Sequence, residues 1–275
     1  MKRIVVMQDL SCLGKCSLTV ILPVVSAMGV ECAVLPTAVL STHTAFPTPA
    51  VTGLSDFAEK AMTHWKSIGA VFDGILTGYL ANPAQVELAA RLMDEFAGPE
   101  TKIIVDPAMG DHGKLYSGLT EEMIPAMASL CRRADLCLPN LTEGAMMAGL
   151  PCEERADPDY CRSLARALLE GGCKGVLLTG AERSPGELGF FHCDGASETC
   201  VCADRIPRSC HGTGDLFAAV MAGGLVRGLT EEQSGQLAME LIRRSILATG
   251  ADSRWGAAFE GNLGWLAGAV DGLLG

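Results

Sequence analysis

A doubly wound α/β fold with a mostly parallel sheet is predicted by three observations. Short β-rich runs alternate with longer amphipathic ones, polar clusters follow nearly every predicted strand, and 275 residues, 49% of them hydrophobic, suffice for one large core. The β-rich runs are Lys2–Met7, Glu31–Leu40, Gly74–Thr77, Lys102–Asp106, Leu136–Leu138 and Gly175–Thr179. Helical stretches such as Leu54–Ser67, Pro83–Phe96 and Glu121–Cys131 separate most of them. After Thr179 the pattern changes: Leu188–His192 and Thr199–Ala203, joined across Asp194-Gly195, predict a hairpin, followed by a glycine turn and the final helices. No repeat, low-complexity segment or linker interrupts the chain, so residues 1–275 are expected to form one domain.

Composition narrows the class of function. A net charge of −11 argues against nucleic acid or an anionic membrane surface as the main partner, although backbone N–H groups bind phosphate without any basic excess. The first apolar run ends at Gln8-Asp9, too short for a signal peptide, and it reads as a strand. The longest apolar region, Leu18 to Leu40, is interrupted by Pro23, Glu31 and Pro36, which suits a buried helix and strand better than a membrane span. Twelve cysteines are scattered without a Cys-x-x-Cys pair, so reduced, buried thiols in a cytoplasmic protein are expected.

The most informative stretch is His211-Gly212-Thr213-Gly214-Asp215-Leu216-Phe217-Ala218-Ala219. Gly212 and Gly214 let the backbone turn tightly with successive N–H groups pointing one way, and the apolar run from Leu216 to Val226 reads as the helix they begin. Such a turn binds anions, and Asp215 within it is placed to accept a proton from a hydroxyl attacking a phosphate. A helix start whose Asp215 merely offsets the dipole is the plainer alternative.

Ligands of doubly wound sheets bind beyond the carboxyl ends of the strands, where this sequence gathers its polar residues. Asp9, His43-Thr44, Gly78-Tyr79, the run Asp106 to Asp111, the run Pro139 to Glu143, and Thr179-Gly180 follow six successive strands. Asp106 precedes a proline that biases it to an extended conformation, so its carboxylate should project from the strand end. Asn140 and Glu143, three apart at a helix start, lie on the same side of the first turn. Oxygen ligands of this kind suit Mg²⁺, while a helix cap formed by Asn140 and Glu143 is the structural alternative. Two look-alikes are set aside. Gly14-Lys15-Cys16-Ser17 lacks the upstream glycine of a P-loop, and Gly212-Thr213-Gly214 lacks the third glycine of a dinucleotide fingerprint.

The run Asp106-Pro107-Ala108-Met109-Gly110-Asp111, the pair Asn140 and Glu143, and Gly212-Thr213-Gly214-Asp215, in this order, resemble the ribokinase-like superfamily. Ser41-Thr42-His43-Thr44, Thr77-Gly78-Tyr79-Leu80 and Gly214 to Ala219 are similar to segments of its vitamin B6 (pyridoxal, pyridoxamine, pyridoxine) kinase branch. The resemblance covers almost the whole chain and implies a three-layer α/β/α architecture around a central, mostly parallel β-sheet. It implies transfer of the γ-phosphoryl of ATP to the 5′-hydroxymethyl group of a B6 vitamer, a small heterocyclic alcohol, with Mg²⁺ and in a homodimer. The need for K⁺ is left open.

Residue by residue, the resemblance implies that Asp215 is the base and that Gly212, Thr213 and Gly214 form the anion hole. Asp106 and Glu143 would hold the metal, and Asp111, Asn140, Thr179 and Thr213 would serve the nucleotide. Asp9, Thr44, Phe46 and Tyr79 would contact the vitamer. Asp9 stands where many pyridoxal kinases have serine; an acceptor-only group there should favour the amine of pyridoxamine, and its alternative is to hold the loop into the first helix. Phe46, at a position often occupied by tyrosine, keeps a flat apolar wall without the hydroxyl. Cys210 is expected to be an inert thiol. A hydroxymethylpyrimidine kinase, or a vitamer-binding protein without catalysis on the same scaffold, are the rival expectations.

Overall fold

The computed structural model describes residues 1–153 and 156–275. The described elements run β1 (Arg3–Ser11), α1 (Leu18–Ala27), β2 (Glu31–Leu40), β3 (Val51–Gly53), α2 (Ser55–Ser67), β4 (Gly74–Thr77), α3 (Pro83–Phe96), β5 (Lys102–Val105), β6 (Gly110–Asp111) and β7 (Lys114–Leu115). They continue α4 (Met123–Cys131), β8 (Leu136–Cys137), α5 (Leu141–Ala148), α6 (Pro158–Glu170), β9 (Val176–Ala181), β10 (Glu187–Cys193), β11 (Glu198–Asp204), α7 (Thr213–Arg227), α8 (Glu231–Ala248) and α9 (Leu263–Leu274). The alternation of strand and helix read from the sequence is present. Two compact units are discernible, one built from residues 1–78, 92–102 and 206–275, the other from 79–91 and 103–205.

In the first unit β1 pairs in parallel with both β2 and β4, and β3 adds an antiparallel edge to β2. Ile4, Val5, Val6 and Met7 are completely buried, as expected of a parallel strand covered on both faces, whose sequence reads as an unbroken apolar run. β1 extends past this run to Ser11, and its register with β2 slips between Gln8 and Leu10. Bulges of this kind re-aim side chains near functional sites. Gln8 and Asp9 therefore enter the interior as buried polar residues at the carboxyl end of the strand. Helices α1 and α8 and strand β4 all touch α7, whose residues from Leu216 to Gly224 are buried without a break.

In the second unit β5, β8 and β9 run parallel, and β9, β10 and β11 form an antiparallel meander. The hairpin predicted across Asp194-Gly195 is present, with Phe190 opposite Val201 at its centre. The two-residue strands β6 and β7 pair into a small ribbon after β5. The strand predicted over Leu136–Leu138 stops at Cys137, because Pro139 cannot donate to a ladder and Asn140 begins the cap of α5.

Candidate active site

The first unit carries the glycine turn and Asp215. Gly212 caps α7 in the left-handed conformation (φ 80°), with no side chain capping the helix. A Cβ at 212 would press into the Lys15 carbonyl oxygen, so both backbone angle and space demand glycine there. A Cβ at Gly214 would meet nothing within 4 Å, so open space adjoins the free N–H groups of the first turn. Thr213 donates its hydroxyl to the Cys210 carbonyl (3.4 Å), bracing the turn, and Cys210 itself is buried.

Asp215 lies in that first turn with both carboxylate oxygens held. Oδ1 accepts the Gln8 side-chain amide (2.9 Å) and Oδ2 accepts the Ser17 backbone N–H (2.8 Å). Burial raises its pKa, opposed by the Ser17 and Gln8 donors and by the Cys16 thiol. A carboxylate whose proton affinity is raised while its anion remains hydrogen-bonded suits a general base.

Asp9 is 4% exposed and accepts the hydroxyls of Ser17 (2.7 Å) and Ser11 (3.2 Å). Burial pushes its pKa up to about 6, opposed by the Ser17 hydroxyl and reinforced by the negative charge of Asp215. Ser17 is the N-cap of α1 at a strained positive φ of 58°, so Asp9 anchors the loop entering the helix. Thr44 is exposed, and Phe46 lies in a ladder of rings: Phe46–Trp255 (4.7 Å), Phe46–His43 (4.9 Å) and His43–His211 (4.7 Å). Burial and the neighbouring His211 lower the pKa of His43, favouring a neutral ring that meets the Arg254 carbonyl through Nε2 (3.0 Å).

Four participants escaped the sequence reading. Gln8, Cys16 and Ser17 meet Asp215, and Trp255 closes the ring ladder. Cys16 and Ser17 belong to the P-loop look-alike; it is no P-loop, yet it abuts the candidate base. Gln8 could have been flagged as a polar residue following four apolar ones at a strand end.

The second unit holds the other acids. Asn140 and Glu143 form a complete capping box on α5: the Asn140 side chain accepts from the Glu143 N–H (2.9 Å), and Glu143 Oε2 accepts from the Asn140 N–H (2.9 Å). Glu143 Oε1 also accepts from the amides of Met109 (2.8 Å) and Gly110 (3.3 Å), and the Asn140 amide donates to the Gly110 carbonyl (2.8 Å). Three of the roughly four acceptor positions of this buried carboxylate are therefore filled by backbone. Burial raises its pKa against those donors, and the charge of Asp111 adds to the rise. Its foremost structural act is to bind the 106–113 loop to the start of α5.

Asp106 is half-buried and accepts from the Ala108 N–H (3.1 Å), while Asp111 is exposed beside His112. Ala108 and His112 have positive φ without being glycine, which concentrates backbone strain in this loop. Thr179 is bridged to Asn140 and donates its N–H to the Pro139 carbonyl (2.9 Å), so these two of the four predicted nucleotide residues are neighbours. Tyr79 is half-buried just beyond β4. Among the described residues no group of three His, Cys, Asp or Glu side chains is placed to hold a metal by itself. The oxygen-rich donor set still fits Mg²⁺, which keeps several waters and borrows phosphate oxygens.

Against this geometry, the family model of phosphomethylpyrimidine kinase matches residues 22–257. The chain belongs to this family. Its relatives in the family include a pyridoxine/pyridoxal/pyridoxamine kinase of Bordetella avium, 28% identical over 82% of this chain and 78% of that protein. A candidate phosphomethylpyrimidine kinase of Bacteroides thetaiotaomicron superposes with a TM-score of 0.92 at 32% identity, covering 96% of this chain and 93% of that one; a second crystal form of it contains pyridoxal. The pyridoxal kinase of Lactobacillus plantarum superposes at 0.87 with 32% identity over 99% and 98%. The family fold is the α/β architecture with a mostly parallel central sheet expected from the sequence, and its members are kinases.

Proposed function

We propose that this protein phosphorylates the 5′-hydroxymethyl group of a vitamin B6 vitamer with ATP. The observation that carries the reading is Asp215: a carboxylate of raised proton affinity, fixed on both oxygens, in a glycine turn whose N–H groups border open space. The names of the B. avium and L. plantarum relatives and the pyridoxal-containing crystal support the substrate class.

In this reading Asp215 takes the hydroxyl proton as the oxygen attacks the γ-phosphorus. The new O–P bond forms as the bond to the β-phosphate oxygen breaks, and ADP leaves. The N–H groups of Gly212, Thr213 and Gly214 stabilise the charge on the transferring group. Phe46 offers a flat surface to the heterocycle, with Thr44 and Tyr79 as polar neighbours of the vitamer. Asp9 would favour the amine of pyridoxamine. Asn140, Thr179, Thr213 and Asp111 would serve the nucleotide. Mg²⁺, when bound, would neutralise phosphate charge; Asp106 and Glu143 would hold it, Glu143 also fixing the loop. We further place the protein in the cytoplasm as a homodimer of single-domain chains; among the described residues no helix is long and apolar enough to cross a membrane. Light scattering tests the dimer.

The deciding experiment is Asp215→Asn with pyridoxal, pyridoxamine and hydroxymethylpyrimidine side by side. A fall in kcat of roughly 10²–10⁴ with little change in KM is expected for the B6 vitamers. No turnover of any B6 vitamer by the wild type defeats the proposal. Turnover of hydroxymethylpyrimidine alone supports the second reading, which the family description favours.

A further inference from the structure

Gln8 is 1% exposed, and its side-chain amide reaches across 207 positions of sequence to Asp215. Its place is prepared by β4's successor Gly78, because a Cβ there would fall on the Gln8 amide oxygen. That oxygen is buried and has no hydrogen-bond partner among the described residues. An orphaned buried acceptor costs stability, and a leucine or methionine would fill the same space without it. The nitrogen end of the amide is therefore the useful one, since a carboxylate beside a side-chain amide selects its donor face.

The groups around Asp215 sharpen the assignment. From β1 comes the Asp9 carboxylate, which repels a second negative charge, and from the following loop comes the Cys16 thiol, itself kept protonated by burial. Lys15, beside Cys16, turns its ammonium to Glu260 (2.7 Å) and the Phe259 ring instead. His211 is engaged with His43. Hydrogen-bond donors, the Gln8 amide, the Ser17 N–H and the Cys16 thiol, are thus what the site offers the Asp215 anion in place of a positive charge.

The geometry points to Gln8 as the positioning residue of the base: its amide fixes the orientation of the Asp215 carboxylate and stabilises the ionised form that accepts the substrate proton. This inference rests on the reading of Asp215 as the base. An N–H group can only donate, so the bond favours the anion over the acid. Loss of the donor should leave less of the base ionised at a given pH, without touching the substrates.

Gln8→Met, close in volume and without a donor, tests this through the pH dependence of kcat/KM for the vitamer from about pH 5 to about pH 9. The acid limb should move upward by about one pH unit, a roughly tenfold loss on the acid side that recovers toward the wild-type rate at high pH, with the KM for ATP unmoved. Gln8→Glu, of the same shape, should shift the limb further in the same direction. A uniform loss at every pH, or an unchanged profile, would overturn the inference, since a role in packing alone gives no recovery with pH. Asp215→Asn keeps the two readings apart. If that variant retains the wild-type rate, Asp215 is not the base and both fall; if it collapses while the Gln8→Met profile stays in place, only the role of Gln8 falls.

Discussion

Replacing Asp9 by asparagine should make the stability of the folded protein less sensitive to pH. Asp9 is nearly inaccessible, and burial carries its pKa from 3.8 to about 6 despite the two serine hydroxyls it accepts. The folded chain thus holds a proton more tightly than the unfolded one. The sign follows: this group's contribution to stability is fully present below about pH 4 and is lost as pH rises through about 6. A shift of about two units corresponds to on the order of 3 kcal/mol. An asparagine side chain cannot ionise, so the stability of Asp9→Asn relative to wild type should rise by that amount between about pH 4 and about pH 7, then level off. Urea unfolding at several pH values, with m unchanged between the two chains, measures the difference. A difference independent of pH would refute the reasoning, because it would mean that Asp9 is as easily ionised inside the fold as outside.

Other perturbations follow from the same geometry. Gly212→Ala places a methyl group against the Lys15 carbonyl at positive φ, and should cost roughly 1–3 kcal/mol in thermal or urea unfolding together with most of the activity. Glu143→Gln turns an NH2 group toward backbone donors at Met109, Gly110 or Asn140; a loss of roughly 2–4 kcal/mol and a raised KM for ATP are expected in unfolding and kinetic assays. Phe46→Ala removes ring contacts with Trp255 and His43, and should raise the vitamer KM while leaving the ATP KM unmoved, as initial-rate kinetics will show. In Asp9→Asn the ratio of kcat/KM for pyridoxamine over pyridoxal should fall; an unchanged ratio would assign Asp9 to the loop alone.

Much of this architecture was legible because local rules agree with the fold. β2, β4 and α3 have the bounds that periodicity and punctuation predict, since apolar runs, Pro83 and the polar residues beyond Thr77 all act within a few residues. The glycine turn was legible for the same reason. What was hidden depends on distance along the chain. β1 was expected to end at Met7, yet Gln8 and Asp9 stay inside because Asp215 accepts the Gln8 amide nitrogen and Ser11 and Ser17 donate to Asp9, and the Asp215 partner lies 207 residues away from Gln8. The paired strands β6 and β7 are too short for any periodicity. At Asn140 and Glu143 the sequence offered both a cap and a ligand set, and the cap is plainly formed. Whether one carboxylate also attends a metal depends on a lone pair, which spacing does not encode.

The same carboxylate ties the adjacent amides at 109 and 110, and a third at 140 thirty residues further along, to a single side chain. The strained loop and the helix behind it are thereby joined like two leaves on one hinge pin, and neither can loosen without the other. Deuterium should enter those three amides at one common rate, and a nucleotide that gripped the loop would slow exchange in the first turn of the helix as well.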